Sequence, residues 1–275
     1  MTVVVTNDDG VDSPGIHVLA ALLRSLGHEP VVVAPARDMS GASAAIGKIE
    51  LDVPTQVRRV TLPPPATDIP AYAVEGPPGL AALLAARRGI DDVEPSLVVS
   101  GINAGTNTGQ AILHSGTVGA ALTGASFGLS GLAVSLAVTD PMPWDAVEPW
   151  LAEALELLAA APPATVLNVN VPATPRKGEN GSLRWATLDR FGSFRVSVAE
   201  RRESLVQLEY RSTDADLDPS SDTALVDAGI ATVTAIEGIR AVPPEQIPFA
   251  EPRPAPEARL ASGPRGEARA EPADG

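Results

Sequence analysis

Two carboxylates stand side by side near the start of the chain, at Asp8 and Asp9, soon after the β-branched run of residues 3–5. Adjacent carboxylates repel each other unless a cation lies between them. With neighbouring hydroxyl and amide oxygens they form an all-oxygen site, which suits Mg²⁺, Mn²⁺ or Ca²⁺ better than zinc. Ser40 and Asn103 follow later predicted strands and are the natural additional ligands. A plain Asp-Gly turn, with Asp8 capping the next helix, explains the two carboxylates without a metal.

A second polar segment, rich in glycine and asparagine, extends from Ser100 to Asn107, after a strand that we predict to end at Val99. Glycine lets a ligand approach the backbone closely, while asparagine and threonine supply neutral hydrogen-bonding groups. Farther on, Ser115-Gly116-Thr117 stands at the start of a predicted helix. Free N–H groups and hydroxyls at a helix N-terminus form an anion site, typically for phosphate, and ordinary N-capping by Ser115 or Thr117 is the alternative.

Several common signatures are missing from the sequence. No Gly-x-Gly-x-x-Gly follows the first predicted strand and no Gly-x-x-x-x-Gly-Lys-Ser/Thr occurs, so the dinucleotide fingerprint and the P-loop are absent. The chain has no cysteine and three histidines. Disulfides, cysteine-ligated zinc, a thiol nucleophile and a histidine-rich metal centre are therefore excluded.

The elements that must position these residues alternate along the chain. Hydrophobic patterning predicts strands at 3–5, 31–33, 97–99, 132–138 and 166–171, and helices at 16–26, 80–88, 116–127 and 144–161. This order predicts an α/β fold with a Rossmann-like, doubly wound and mainly parallel sheet. Ligands bind beyond the carboxyl ends of such strands, which is where Asp8, Ser40 and Asn103 fall.

The C-terminal part of the sequence has a different pattern. We predict one α/β domain over residues 1–240, in which residues 183–211 form an antiparallel hairpin or arm and residues 231–236 a returning strand. The arm is too small for a core of its own and is expected to pack on a partner subunit. Residues 243–275 are rich in Pro, Ala, Glu, Arg and Gly, which predicts a disordered tail.

Charge and hydropathy limit the partners. The chain has 34 acidic and 20 basic residues and a net charge of −14, which disfavours binding to long nucleic acids. The uncharged stretch from Pro95 to Thr139 is interrupted by glycines and polar residues, so it lacks the roughly 20 apolar residues of a membrane span. The N-terminus shows no signal-peptide pattern, and we expect a cytoplasmic protein without membrane attachment.

Taken together, the motifs resemble those of the SurE family of survival-protein nucleotidases, over about residues 2 to 240. The resemblance lies in Thr6-Asn7-Asp8-Asp9-Gly10, Pro14-Gly15, Val33-Ala34-Pro35-x-Arg37-x-x-Ser40-Gly41, Ser100-Gly101-Ile102-Asn103-x-Gly105-x-Asn107-x-Gly109, Ser115-Gly116-Thr117-Val118, Asn168-Val169-Asn170-Val171-Pro172, Thr213-Asp214 and Val233-Thr234. The sequence departs from the family pattern at Ala36, Gln110-Ala111, His114 and residues 75–79.

The resemblance implies a metal-dependent phosphohydrolase that removes phosphate from nucleoside 5′- and 3′-monophosphates, a 5′-nucleotidase, with one Mg²⁺ or Mn²⁺ per subunit and Ca²⁺ as a possible substitute in crystals. It implies that Asp8, Asp9, Ser40 and Asn103 hold the metal. It also implies that members exchange a C-terminal hairpin and helix to form homodimers or tetramers.

The mechanism that we expect is an attack of water on the phosphate, with Asp8 or Asp9 as the proton acceptor. The phosphate- and substrate-binding residues that we predict are Asn7, Gly41, Gly105, Asn107, Ser115, Gly116 and Thr117. A nucleotide-binding regulator with weak or lost catalysis is the alternative, because the departures from the family pattern cluster near the expected nucleoside pocket.

Overall fold

The computed structural model describes residues 1–50, 52–91, 93–176, 182–190, 194–202, 204–212 and 217–246. The chain divides into two units, Met1–Gly238 and Ile239–Gly275. In the second unit, the described residues form a 3₁₀ turn at Pro244–Gln246. The tail predicted at 243–275 lies, from residue 247 onward, outside the described residues, as do Thr213 and Asp214.

The first unit contains the helices and strands of the α/β fold. The strands are β1 (Thr2–Thr6), β2 (Glu29–Pro35), β3 (Val57–Val60), β4 (Ala71–Val74), β5 (Leu97–Ala104), β6 (Ser130–Leu136), β7 (Val166–Val171), β8 (Arg184–Trp185), β9 (Phe194–Arg202), β10 (Leu205–Ser212) and β11 (Thr232–Ile236). The helices are α1 (Pro14–Ser25), α2 (Pro78–Ala86), α3 (Gly116–Ser126), α4 (Glu148–Ala160) and α5 (Asp222–Asp227), with 3₁₀ turns at Gly109–His114 and Trp144–Val147. None of these described helices is long and apolar enough to span a membrane.

The described strands other than β9 and β10 form one sheet in the order β3-β4-β2-β1-β5-β6-β7-β11-β8. All pairs from β4 to β7 are parallel, whereas β3 and β11 run antiparallel to β4 and β7. The chain builds outward from β1 through β2 and then returns to β5 on the other side of β1. The predicted fold class is therefore confirmed, and the switch point at which ligands bind in such sheets lies between β1 and β5.

The centre of the sheet is buried on both faces because helices cover both. In β1, Val3 and Val5 pack in the cluster that includes Ile16 of α1, while Val4 packs on the opposite face with Leu80 of α2. All three valines have no exposed surface. A continuous valine run is typical of a strand in this position, which is why the sequence pattern identified it.

Helix α1 follows the loop that contains Asp8 and Asp9. Pro14 stands in its first turn, where the missing N–H has no helical partner to lose. Ile16, Leu19 and Leu23 are buried at helical spacing and fix the helix against the sheet. The loop between β1 and α1 is therefore held at both ends by buried elements.

The strand predicted to end at Val99 is longer in the structure, since β5 continues to Ala104. After an irregularity that follows Ser100, Asn103 and Ala104 again pair with residues of β6. Gly101 has φ +140°, and a Cβ there would collide with the backbone carbonyl of Val134. The prediction that the strand ends at Val99 was wrong. Gly101 is required by a close backbone contact within the sheet, and in the sequence such a glycine cannot be distinguished from a glycine in a turn.

The structure adds strands to a first segment, residues 41–75, for which no helix or strand was predicted, and a second segment, residues 183–211, contains the antiparallel hairpin that was predicted. The first segment contains β3 and β4, and residues 184–185 of the second form β8, which joins the main sheet beside β11. The antiparallel hairpin is formed by β9 and β10, from residue 194 to 212. Its residues Val198, Leu205, Val206 and Leu208 are more than half exposed.

Candidate metal and phosphate site

The carboxylate of Asp8 lies against the N-terminus of α3. The Gly116 N–H donates to Asp8 Oδ2 at 3.1 Å, and the Thr117 hydroxyl donates to Asp8 Oδ1 at 2.7 Å. Asp8 is 4% exposed, and burial raises its pKa although both hydrogen bonds lower it. A Cβ at position 116 would lie 2.5 Å from the Asp8 Cβ, so only glycine leaves room for this carboxylate. The helix thus fixes the position of one predicted metal ligand.

Asp9 is partly buried beside Asp8. Burial, together with the negative charges of Asp8 and Asp38, raises the pKa of Asp9 to about 6. No donor among the described residues forms a hydrogen bond with its carboxylate. Two carboxylates held close together, one of them without a donor, form an arrangement that a cation stabilises.

The loop after β2 adds a third carboxylate that the sequence analysis missed. Asp38 accepts hydrogen bonds from the Ser40 hydroxyl at 2.6 Å and from the Ser40 N–H at 2.8 Å, which lower the pKa of Asp38. The Met39 N–H donates to the Asp8 carbonyl at 2.7 Å and ties this loop to the end of β1. Because the Ser40 hydroxyl donates its proton to the hydrogen bond with Asp38, the lone pairs of its oxygen remain available to bind a cation. The only signal for Asp38 was its place two residues before Ser40.

The loop after β5 is held by a network of neutral amides. Asn103 donates its side-chain N–H to the Gly105 carbonyl at 2.7 Å, which leaves its amide oxygen available. Asn107 is held at its N–H and carbonyl by Asn170, and its side-chain amide donates to Ser135 at 2.9 Å. Asn168 donates to the same carbonyl at 2.8 Å. These asparagines of β7 were part of a recognised motif, but no role had been predicted for them.

The remaining predicted substrate residues fall into different positions. Ser115 caps α3 by accepting a hydrogen bond from the Val118 N–H at 3.1 Å. Asn7 donates to Gly10 and Ser13 and so supports its own turn, while its side-chain oxygen is buried without a partner among the described residues. Thr117, predicted to bind phosphate, is fully buried and has its hydroxyl directed at Asp8. Gly41 lies exposed in the loop after β2, with φ +81°.

The arrangement brings Asp8, Asp9, Ser40 and the start of α3 together, with Asn103 in the adjoining network at the same sheet edge. Among the residues that the structure describes, no group of three or more His, Cys, Asp or Glu is placed to hold a metal ion. The candidate metal ligands are instead the carboxylates of Asp8 and Asp9, the hydroxyl oxygen of Ser40 and the amide oxygen of Asn103. This set fits a hard divalent cation such as Mg²⁺ or Mn²⁺ and does not fit zinc or a soft metal.

An open, mainly parallel α/β sheet with paired carboxylates beside a helix N-terminus at its switch point defines a Rossmann-like protein whose polar side chains gather at the carboxyl edge of the sheet. Residues 3–191 match the family model described as "Survival protein SurE". The chain therefore belongs to the SurE family.

Individual relatives agree with this assignment. A protein of Xanthomonas campestris pv. campestris named 5′-nucleotidase SurE is 42% identical over 211 residues, which cover 75% of this chain and 73% of the relative. A protein of the same name from Xanthomonas oryzae pv. oryzae is 41% identical over 210 residues, with the same shares covered. The crystal structure of the SurE protein from Aquifex aeolicus is 27% identical and has a TM-score of 0.70, over 86% of this chain and 93% of that one.

Proposed function

We propose that this protein is a 5′-nucleotidase, a phosphohydrolase that removes phosphate from nucleoside 5′-monophosphates and also from 3′-monophosphates. The observation that supports this proposal most directly is the Asp8–Asp9 pair, in which Asp8 is hydrogen-bonded to the N-terminus of α3. Relatives of similar sequence carry the name 5′-nucleotidase. The site therefore places oxygen ligands for a cation beside the Ser115 hydroxyl and the Asn107 side-chain amide, which can donate to a phosphate, at one edge of the sheet.

One divalent cation, Mg²⁺ or Mn²⁺, would be held by Asp8, Asp9, Ser40 and Asn103. When bound, such an ion polarises the phosphoryl group and lowers the pKa of a coordinated water. Thr117 and Gly116 orient Asp8 through their hydrogen bonds, which lower its pKa against the rise caused by burial. We thus assign Thr117 to the positioning of Asp8, in place of the phosphate contact predicted from the sequence.

The protein residues divide the remaining tasks between them. Asp9 is the carboxylate that no described donor occupies, so we assign to it the acceptance of the proton from the attacking water. The Ser115 hydroxyl and the side-chain amide of Asn107 would hold the phosphoryl oxygens. The Gly105 N–H already donates to the Leu136 carbonyl, so Gly105 is assigned to the shape of the loop and not to a phosphate contact. The positive partial charge at the start of α3 faces the Asp8 carboxylate and stabilises its negative charge.

The hairpin and the charge suggest the protein's partners. The exposed apolar residues of β9 and β10 favour packing on a second copy of the chain, in a dimer or tetramer, because isolated two-stranded hairpins are unstable in water. Small nucleotides of the cytoplasm are the expected substrates, since the net charge of −14 opposes contact with a long polyanion.

The test is phosphate release from 5′-AMP and 3′-AMP in the presence of Mn²⁺ or Mg²⁺. We expect turnover by the wild-type protein and its loss in Asp8→Asn and Asp9→Asn. Asp12→Asn is the matched control. Asp12 is exposed on the same loop, and its substitution removes the same charge. Tight nucleotide binding without turnover in any metal would contradict the proposal and favour a nucleotide-binding regulator.

A further inference from the structure

A cavity of about 450 Å³ opens at the same sheet edge as the candidate site. It is lined by the segments that follow β5, β6 and β7 and by the end of α5, through Gly105, Thr106, Val138, Thr174 and Asp227 among others. Pockets that bury small organic ligands have volumes of roughly 300–1,000 Å³. The cavity therefore has room for a ligand larger than a phosphate.

Gly105 joins the cavity to the candidate metal ligand Asn103. A Cβ built on Gly105 would lie 3.8 Å from Val138 Cγ2, which lines the cavity, and 3.9 Å from Asn103 Nδ2. The Asn103 side chain also donates to the Gly105 carbonyl. When the phosphate of a substrate lies near Asn103, the part of the substrate that is bonded to the phosphate can therefore reach the cavity.

The residues that line the cavity suit an uncharged, partly apolar ligand group. Val138, Pro172 and Val226 supply apolar surface, and Thr106 supplies a hydroxyl. Neither lysine nor arginine is among the described residues that line the cavity, so it is poorly suited to a second phosphate.

Asp227 is the one charged residue of the lining, and no hydrogen-bond donor among the described residues reaches it. Asp227 is exposed as a whole residue, and the partial burial of its carboxylate raises its pKa. A carboxylate has two acceptor oxygens, which match the two donors of a vicinal diol. A phosphate group would instead be repelled.

We propose that this cavity binds the nucleoside part of the substrate and that Asp227 accepts hydrogen bonds from the ribose hydroxyls. The inference rests on the proposed nucleotidase function and narrows its substrate class to ribonucleoside 5′-monophosphates, in which both the 2′ and the 3′ hydroxyl are free.

The test compares 5′-AMP, 2′,3′-dideoxyadenosine 5′-monophosphate and p-nitrophenyl phosphate as substrates of Asp227→Ala. We expect kcat/KM for 5′-AMP to fall about 10- to 100-fold, as for a lost hydrogen bond to a charged group, and values for the other two substrates to change less than about twofold. The wild-type preference for 5′-AMP over the dideoxynucleotide should disappear. Asp140→Asn is the control, because this exposed carboxylate follows β6 at the same edge but does not line the cavity.

A second variant tests the cavity itself. Ala173→Phe fills it, and we expect kcat/KM to fall for both nucleotides but not for p-nitrophenyl phosphate, with thermal unfolding used to confirm that the variant folds. Equal losses for all three substrates in either variant, or unchanged 5′-AMP turnover in Asp227→Ala, would overturn the inference.

Failure of the proposed function has a different signature, the absence of phosphate release from every substrate by the wild-type protein. Calorimetric titration with adenosine tests the cavity independently of turnover. Binding that weakens in Asp227→Ala supports the subsite, and absence of adenosine binding refutes it.

Discussion

Replacing Thr117 by valine removes one hydrogen bond from Asp8 with almost no change in shape. The lost contact is the 2.7 Å bond to Asp8 Oδ1, and the Gly116 N–H remains on Oδ2. A hydrogen bond to a charged group contributes about 1.5–3 kcal/mol, and loss of such a partner behind a metal ligand weakens metal binding about 10- to 100-fold. The same change raises the pKa of Asp8, since the Thr117 hydroxyl lowers it.

We therefore expect Thr117→Val to need about 10- to 100-fold more Mn²⁺ for half-maximal phosphate release, with much of kcat recovered at saturating metal. The acid limb of its pH–activity profile should shift to higher pH. Thr123→Val is the matched control, because the Thr123 hydroxyl is also buried in α3 but donates to the Gly119 carbonyl. Thr123→Val should show the metal dependence of the wild type. If Thr117→Val shows that same metal dependence, the role assigned to Thr117 is refuted.

Two further predictions concern stability. The pKa of Asp9 in the folded protein, about 6, lies above its usual 3.8, so the stability that this group contributes is present at low pH and is lost as the pH rises through about 6. In EDTA-treated protein we expect Tm to fall over that range, less steeply in Asp9→Asn, and an unchanged slope in the variant would argue against the raised pKa. Asp222 is fully buried and accepts hydrogen bonds from the N–H groups of Gly109, Asp189 and Thr223. Asp222→Asn should lower the free energy of unfolding in urea by about 1–3 kcal/mol, whereas Asp218→Asn, at an exposed carboxylate, should leave it unchanged, and equal effects would contradict the anchoring role.

The sequence predicts the central layer of the fold well because its strands are buried on both faces. Runs such as Val3–Val5 are apolar at every position, so they are recognised as buried strands without a pattern of alternating apolar and polar residues. The carboxyl ends of these strands identify the edge of the sheet at which Asp8 and Ser40 lie. The peripheral elements are harder to predict. In β3, Arg58 and Arg59 are exposed, and α5 is six residues long, so neither shows a hydrophobic pattern strong enough to recognise.

The candidate residues could be predicted, but their contacts could not. The type and spacing of Asp8 and Asp9 suggested a cation, and Ser115–Thr117 suggested a helix start. That Thr117 faces Asp8 depends on a contact between residues 109 positions apart, which no local pattern encodes. For the same reason Asp38 was missed, because its influence on Asp9 comes from the folding of the loop after β2 onto the end of β1.

The Asp222 carboxylate holds the Gly109 N–H, but the contacts of Asn107 itself come from amide and hydroxyl groups, those of Ser135, Asn168 and Asn170. None of these groups gains or loses a proton over the pH range in which proteins work, and salt does not screen their contacts as it screens ion pairs. The contacts of Asn107 are consequently insensitive to pH and ionic strength, while the neighbouring carboxylates respond to both. A shift of activity with pH or salt in this protein therefore reports on the charged groups and their ligands and not on a loss of the contacts that hold Asn107.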